Sequence, residues 1–162
     1  MAEVKEIVVG WRKGGEYKTV KSPHTLNSGG AGPCLVIGAV YKTKCYMSHI
    51  PPGSQLDYSK VMNPLFEELQ RDVQEKRNLQ IYLVGANVDR NPQVQIGKDM
   101  VLEIIAQQGF EDCVEAVRWN FGEHSKELHL ILLERKAVIY DFDNLDILRA
   151  NMSTEEFPFS QI

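Results

Sequence analysis

Cysteine is scarce in this chain, three among 162 residues. So small and odd a number builds no disulfide scaffold and fits a reducing compartment. No Cys-x-x-Cys pair occurs, so the four-ligand pattern of a structural zinc site is missing. Cys45 and His49, at Cys-x-x-x-His spacing, make half a site at most. Long apolar runs are lacking as well. The longest, at residues 34–41, 128–133 and 137–140, stop far short of the roughly 20 residues that span a bilayer. Residues 1–6 carry two acids and no apolar core, unlike a secretory signal. Nor is there an excess of positive charge: 18 Lys+Arg against 22 Asp+Glu leave a net charge of −4, where a nucleic-acid binder usually shows a basic surplus. The glycine run at 29–32 is not followed by Lys-Ser/Thr, which excludes a P-loop. No internal repeat is visible. These absences imply a cytoplasmic protein with no membrane insertion and no nucleic-acid partner. An effector exported by a dedicated secretion apparatus would have the same composition. No feature sets an oligomeric state.

What is present is ordinary globular material, 43% apolar and 25% charged. One domain is expected at this length, with a core that buries roughly 70% of the unfolded surface. Val61, Leu65, Leu69 and Val73 recur every fourth residue, with Glu67, Glu68, Arg71 and Asp72 opposite. That period predicts an amphipathic helix over 58–76, with Asn63-Pro64 as its start because proline is tolerated at the first helical position and not deeper. A second helix is predicted over 97–108, closed by Gly109. Strands are expected at 6–11, 16–21, 34–41, 43–50, 79–86, 114–119, 127–133 and 136–142, the last two joined by a hairpin at Glu134-Arg135. Residues 22–33 read as loop. Many strands and two helices, without regular βαβ alternation, predict an α+β fold: a layered sandwich of mixed, mostly antiparallel sheets with two main helices packed on one side. Residues 1–144 are read as the single domain, and 145–162 as a C-terminal tail docked on it.

The chemistry-bearing stretch is 25–49. Gly29-Gly30-Ala31-Gly32-Pro33 leads into Cys34 at a loop-to-strand junction. Glycines let the backbone approach a substrate closely, and free N–H groups there can line an oxyanion hole. His49 closes the next strand. If the two strands are antiparallel neighbours, Cys34 and His49 meet, as a Cys–His nucleophile pair requires. Ser28 and Thr25 are the nearby hydroxyls that could orient the imidazole. On spacing alone the plain alternative is the commoner one: a cysteine starting an apolar strand is more often a small core residue than a nucleophile, and a histidine ending a strand more often a surface or hydrogen-bonded residue than a base. His124 and His129 are further partners for Cys34 in a papain-like arrangement. Cys113 reads as core.

Those residues also carry a resemblance. Gly32-Pro33-Cys34-Leu35-Val36-Ile37, followed by Cys45-Tyr46-Met47-Ser48-His49-Ile50-Pro51-Pro52, resembles the chemoreceptor glutamine deamidase (CheD) family, with its Gly-Ser-Cys turn opening a strand and its Met-x-His before a proline. Phe66-Glu67-Glu68-Leu69, the strand at 81–86, Ile96-Gly97-Lys98-Asp99 and Gly109-Phe110 fall in the same order, so the likeness runs through nearly the whole chain at sparse identity. The same thiol–histidine arrangement marks the catalytic domains of cytotoxic necrotizing factor and Burkholderia lethal factor. The resemblance implies a protein-glutamine deamidase with Cys34 as nucleophile and His49 as general base. Ser28 stands where the family has a threonine, and Thr25 is the fallback. No cofactor and no metal are implied. The implied partner is a protein with an accessible glutamine: a chemoreceptor, or another regulatory or host protein. Two departures from the family pattern stand out. Pro33 replaces the family's serine, which would mark a decayed site, and Asn120-Phe121-Gly122-Glu123-His124 replaces a late basic stretch, which implies a substrate other than a chemoreceptor. The rival readings are a non-catalytic protein-binding module with the same fold, and a cysteine peptidase or transglutaminase using the same pair.

Overall fold

A computed structural model describes residues 3–160 apart from Ile147 and Arg149. Parts of the sequence-defined tail, at 147, 149, 161 and 162, therefore lie outside the described residues. The elements run β1 (Glu6–Val8), β2 (Glu16–Lys21), β3 (Thr25–Asn27), β4 (Leu35–Tyr41), β5 (Lys44–Ile50), α1 (Gln55–Asp72), β6 (Leu79–Gly85), α2 (Val94–Gln108), β7 (Val114–Trp119), β8 (His124–Ile131), β9 (Lys136–Asp143) and β10 (Ser153–Pro158). They build two five-stranded sheets, ordered β1-β3-β8-β9-β10 and β2-β5-β4-β6-β7. Most pairings are antiparallel, and β1–β3 and β6–β7 are parallel.

The architecture is the α+β layered sandwich expected from the pattern. Strand β4 shows why. Its continuous apolar run is buried on both faces, as a central strand covered on both sides must be. Leu35, Ile37, Ala39 and Tyr41 face α1 and join Met62, Leu65, Phe66 and Leu69 in one core. Val36 and Val40 face the other sheet and join Leu26, Leu128, Leu130 and Ile139 in a second. Each fully buried aliphatic or aromatic side chain contributes roughly 1.5–3 kcal/mol by leaving water. The layers are thus one sheet, then the other, then the helices.

Three expectations need correction. Helix α1 does not start at Asn63-Pro64. A capping box starts it at Ser54, whose hydroxyl accepts the Asp57 N–H while the Asp57 carboxylate accepts the Ser54 N–H. Pro64 sits inside the helix, where it removes the bond to the carbonyl of Lys60, an exposed residue. Residues 25–27, read as loop, form β3, because Leu26 is an inward core residue between β1 and β8. Within the sequence-defined tail, 153–158 form β10 against β9, and Phe159 beyond it is buried between the sheets. No helix among the described residues is long and apolar enough to cross a membrane.

Candidate functional site

Cys34 lies one residue before β4, and its carbonyl continues the β4–β6 ladder by accepting the Ala86 N–H at 2.7 Å. His49 is the penultimate residue of β5 and pairs with Val36 of β4. Both face the space between the sheets. Cys34 therefore stands diagonal to His49 on the same face, a relation that separates β-sheet neighbours by about 7–8 Å. The β4–β5 hairpin expected from the spacing forms, and its register puts Cys34 and His49 on one face of the sheet. No hydrogen bond joins them in the free site, where catalytic contacts are commonly longer than in a substrate complex.

The imidazole is held by main chain. Its Nδ1 lies 2.9 Å from the Val9 carbonyl oxygen and 2.8 Å from that of Ser28. Both partners only accept, so Nδ1 carries the proton and Nε2 keeps its lone pair. Nε2 is buried and has no partner among the described residues. Two sheet-end positions converge here: Val9 follows β1, Ser28 follows β3, and the parallel β1–β3 pair ends over β5. Burial pushes His49 below its ordinary pKa, against the two carbonyls and the charge of Glu16, which act the other way. His49 is therefore a neutral imidazole at neutral pH.

The expected hydroxyl contacts are not made. Ser28 Oγ donates to the Gly29 carbonyl and accepts the Leu128 N–H at 2.9 Å, so Ser28 reaches His49 through its carbonyl alone. Thr25 lies on β3 opposite Ile131 and hydrogen-bonds neither His49 nor Cys34. Ser28→Ala should then leave imidazole orientation intact and act on stability. Losing the acceptor for a buried N–H costs about 1–3 kcal/mol, and chemical denaturation of the variant checks it. A stability loss near zero would contradict the bond.

The glycine loop before Cys34 is clamped from elsewhere in the chain. The buried Asn120 amide donates to the carbonyls of Ala31 and Gly32, at 2.6 and 3.0 Å. Asn87, also buried, donates its backbone N–H to the Gly32 carbonyl. Ala31 exchanges both backbone bonds with Lys126. By contrast, the N–H groups of Gly30, Gly32 and Cys34 donate to no protein atom among the described residues. These three residues border a cleft of about 330 Å³, completed by Trp11, Pro33, Pro51 and Pro52. It is mostly apolar-walled with a thiol in it. The exposed Arg90 guanidinium lies beside Gly32.

The thiol departs from the expectation of a thiolate stabilised by imidazole. Burial pushes Cys34 up to about 11, with Arg90 acting the other way. Thiol and imidazole are both neutral in the free site. Cys45, on β5, is fully buried and pushed up to about 12 by burial. It is four residues from His49 along one strand, a separation of roughly 13 Å. His124 is bonded to Asp141 and His129 to Glu127, and neither hydrogen-bonds Cys34. No cluster of three metal-ligating side chains occurs among the described residues.

Sequence reasoning missed Val9, Asn120 and Asn87. Val9 acts through its carbonyl, which leaves no side-chain signature. The two asparagines did leave one, since each follows a predicted strand at a polar break.

No protein-family model matches the chain, and a search of curated proteins found no match. Among solved structures, the chain is similar to the C-terminal domain of CNFy from Yersinia pseudotuberculosis, with a TM-score of 0.53 and 10% sequence identity. The match covers 95% of this chain and 62% of that domain, so the chain spans less than two thirds of its length. At this identity the likeness is one of fold.

Proposed function

We propose that the chain is a cysteine hydrolase that deamidates glutamine side chains of a protein substrate. The observation that carries this reading is the pairing of Cys34, open to the cleft, with a His49 whose Nδ1–H is committed to two carbonyls and whose Nε2 lone pair is free. The shared fold with a cytotoxic-necrotizing-factor deamidase domain supports it.

In this mechanism the glutamine carboxamide enters the cleft and Cys34 Sγ attacks its carbonyl carbon. His49 Nε2 takes the thiol proton as the bond forms, so no thiolate need accumulate beforehand. The oxyanion meets the unpaired Cys34 N–H, with the neighbouring glycine N–H groups as further donors. The imidazolium returns its proton to the nitrogen, and ammonia leaves a thioester. Water, deprotonated by Nε2, attacks the thioester. Glutamate departs and the thiol is restored. Glutamine and water become glutamate and ammonia, and the target gains one negative charge, enough to alter a protein interface. The apolar walls at Trp11, Pro51 and Pro52 suit a protein segment. The substrate is a regulatory or host protein rather than a chemoreceptor, since the basic stretch of the chemoreceptor enzymes is replaced at 120–124.

The test is incubation with a lysate of candidate hosts, followed by peptide mass mapping for deamidated glutamines and an ammonia assay. Labelled glutamines with stoichiometric ammonia support the reading; a new amide or a cut chain instead identifies a transglutaminase or peptidase. The neutral thiol and the absent Cys34–His49 hydrogen bond favour one second reading, a non-catalytic protein-binding module. Stable capture of a partner with no ammonia would select it.

The pH dependence follows from His49. The neutral form is the base, and burial holds its pKa below the ordinary 6.5. The midpoint of the acid limb should therefore lie below pH 6.5. An acid limb in kcat/KM with its midpoint at or above pH 6.5 would contradict this. Stability follows the same sign: below 6.5 the unfolded chain binds a proton that folded His49 does not, so stability declines as pH falls toward the folded value.

A further inference from the structure

The peptide unit between Val9 and Gly10 has two polar groups, and both are committed. Its carbonyl oxygen accepts the His49 Nδ1–H at 2.9 Å. Its N–H, belonging to Gly10, donates to Glu16 Oε1 at 2.7 Å. A planar trans peptide points these groups in opposite directions, so it links the carboxylate on one side to the imidazole on the other. The register agrees: Glu16 is the residue of β2 directly opposite His49 of β5, on the same face. Hydrogen bonds in such a chain polarise one another, and a charged acceptor at one end strengthens the carbonyl at the other.

We propose that Glu16 is the positioning residue of the site, a carboxylate that acts on His49 through the Val9–Gly10 peptide unit. In a Ser-His-Asp triad the carboxylate bonds the imidazole Nδ1–H directly; here one amide stands between them. The inference rests on the reading of His49 as the base.

Three further observations agree. Position 10 has no side chain, and an added Cβ would lie 2.8 Å from Glu16 Oε1, so glycine keeps the carboxylate's approach open. Glu16 is an anion at neutral pH: burial alone would raise its carboxyl, but the Gly10 N–H, Lys18 and His49 hold it below the usual range. The carboxylate also divides its oxygens. Oε2 pairs with Lys18 at 3.3 Å, and Oε1 is reserved for Gly10. The ion pair alone is a surface contact worth little and would not direct Oε1 at the peptide. The ionisable groups facing His49 are Glu16 and Lys18 from β2 and the Cys34 thiol before β4; Arg12 borders the adjoining pocket, and Arg90 acts on Cys34. Among the described residues, only Glu16 combines a negative charge with a bonded route to Nδ1.

The test is nitrogen-15 NMR of the His49 imidazole in the full chain, for the wild type, Glu16→Gln and Glu16→Ala, with thermal melting as the folding control. The wild type should show the Nδ1–H tautomer. Glu16→Gln keeps an oxygen for the Gly10 N–H but loses the charge, so the tautomer should persist while the His49 pKa drops by about half a unit. Glu16→Ala should lower the pKa similarly and populate the Nε2–H tautomer. An unchanged His49 pKa in Glu16→Gln overturns the proposal, and if Glu16→Ala does not fold, the glutamine variant alone decides. The measurement needs no substrate. Failure to find ammonia release from any protein would sink the deamidase reading and leave the imidazole result standing.

Discussion

Cys34→Ala should abolish ammonia release, a drop of at least about 10⁴-fold, while the protein melts close to wild type. The two halves of this expectation have different sources. The chemical half follows from the mechanism, in which Sγ forms the only covalent bond to substrate and no other thiol can take its place. Cys45 is sealed in the core between the sheets, and Cys113 is buried at the start of β7 with its thiol donating to the Lys76 carbonyl. The structural half follows from packing. The Cys34 thiol makes no hydrogen bond, and the residue is held by its carbonyl, so loss of one sulfur costs about 1 kcal/mol. An ammonia assay beside a thermal melt reads both. Wild-type turnover in the variant would remove Cys34 from the mechanism.

Gly85→Ala should be the most damaging small substitution near the site, costing about 3–5 kcal/mol from backbone strain and overpacking together. Gly85 ends β6 with φ of 88°, a conformation that side-chain-bearing residues avoid. An added Cβ would fall inside the contact radius of the Cys34 carbonyl oxygen and 3.3 Å from the Ala31 side chain. Neither neighbour can give way. The Cys34 carbonyl is bonded to the Ala86 N–H, and Ala31 is tied to Lys126 and Asn120. The Gly85 carbonyl in turn accepts the Asn120 N–H at 2.7 Å. Relief of the clash must displace Cys34 or break the clamp, so if Cys34 is the nucleophile proposed, activity should fall further than stability alone explains. Gly29→Ala is the control. Its φ of 63° is also positive, but an added Cβ meets nothing within 4 Å, so only backbone strain of about 1 kcal/mol remains. Urea unfolding of the two variants makes the comparison. Equal losses would show that the contact at Cys34 is not what makes position 85 a glycine.

The periodicity that placed α1, α2 and the central strands was legible because each element buries a repeating face, and burial leaves its period in the sequence. The start of α1 was also written there, as Ser54 and Asp57, but Pro64 was the louder signal and drew the boundary to itself. Strands β3 and β10 were hidden for a different reason. β3 is three residues long, and β10 is mostly exposed, so neither shows a burial pattern.

At the site the division is sharper. By itself the sequence determined that a thiol opens a buried strand after a glycine loop, and that a histidine closes the next strand. The short connection predicted that these two strands pair as a hairpin, and the register that sets Cys34 and His49 on one face came with the structure. Only the tertiary structure decided what surrounds them. Main-chain carbonyls of Val9 and Ser28, brought over β5 by the opposing sheet, select the tautomer of His49 where a hydroxyl had been expected. Asn120, distant in sequence, holds the glycine loop before Cys34, and burial raises the thiol rather than lowering it. Backbone groups are the same at every residue and burial is a property of the assembled layers, so neither could be read before the sheets were stacked.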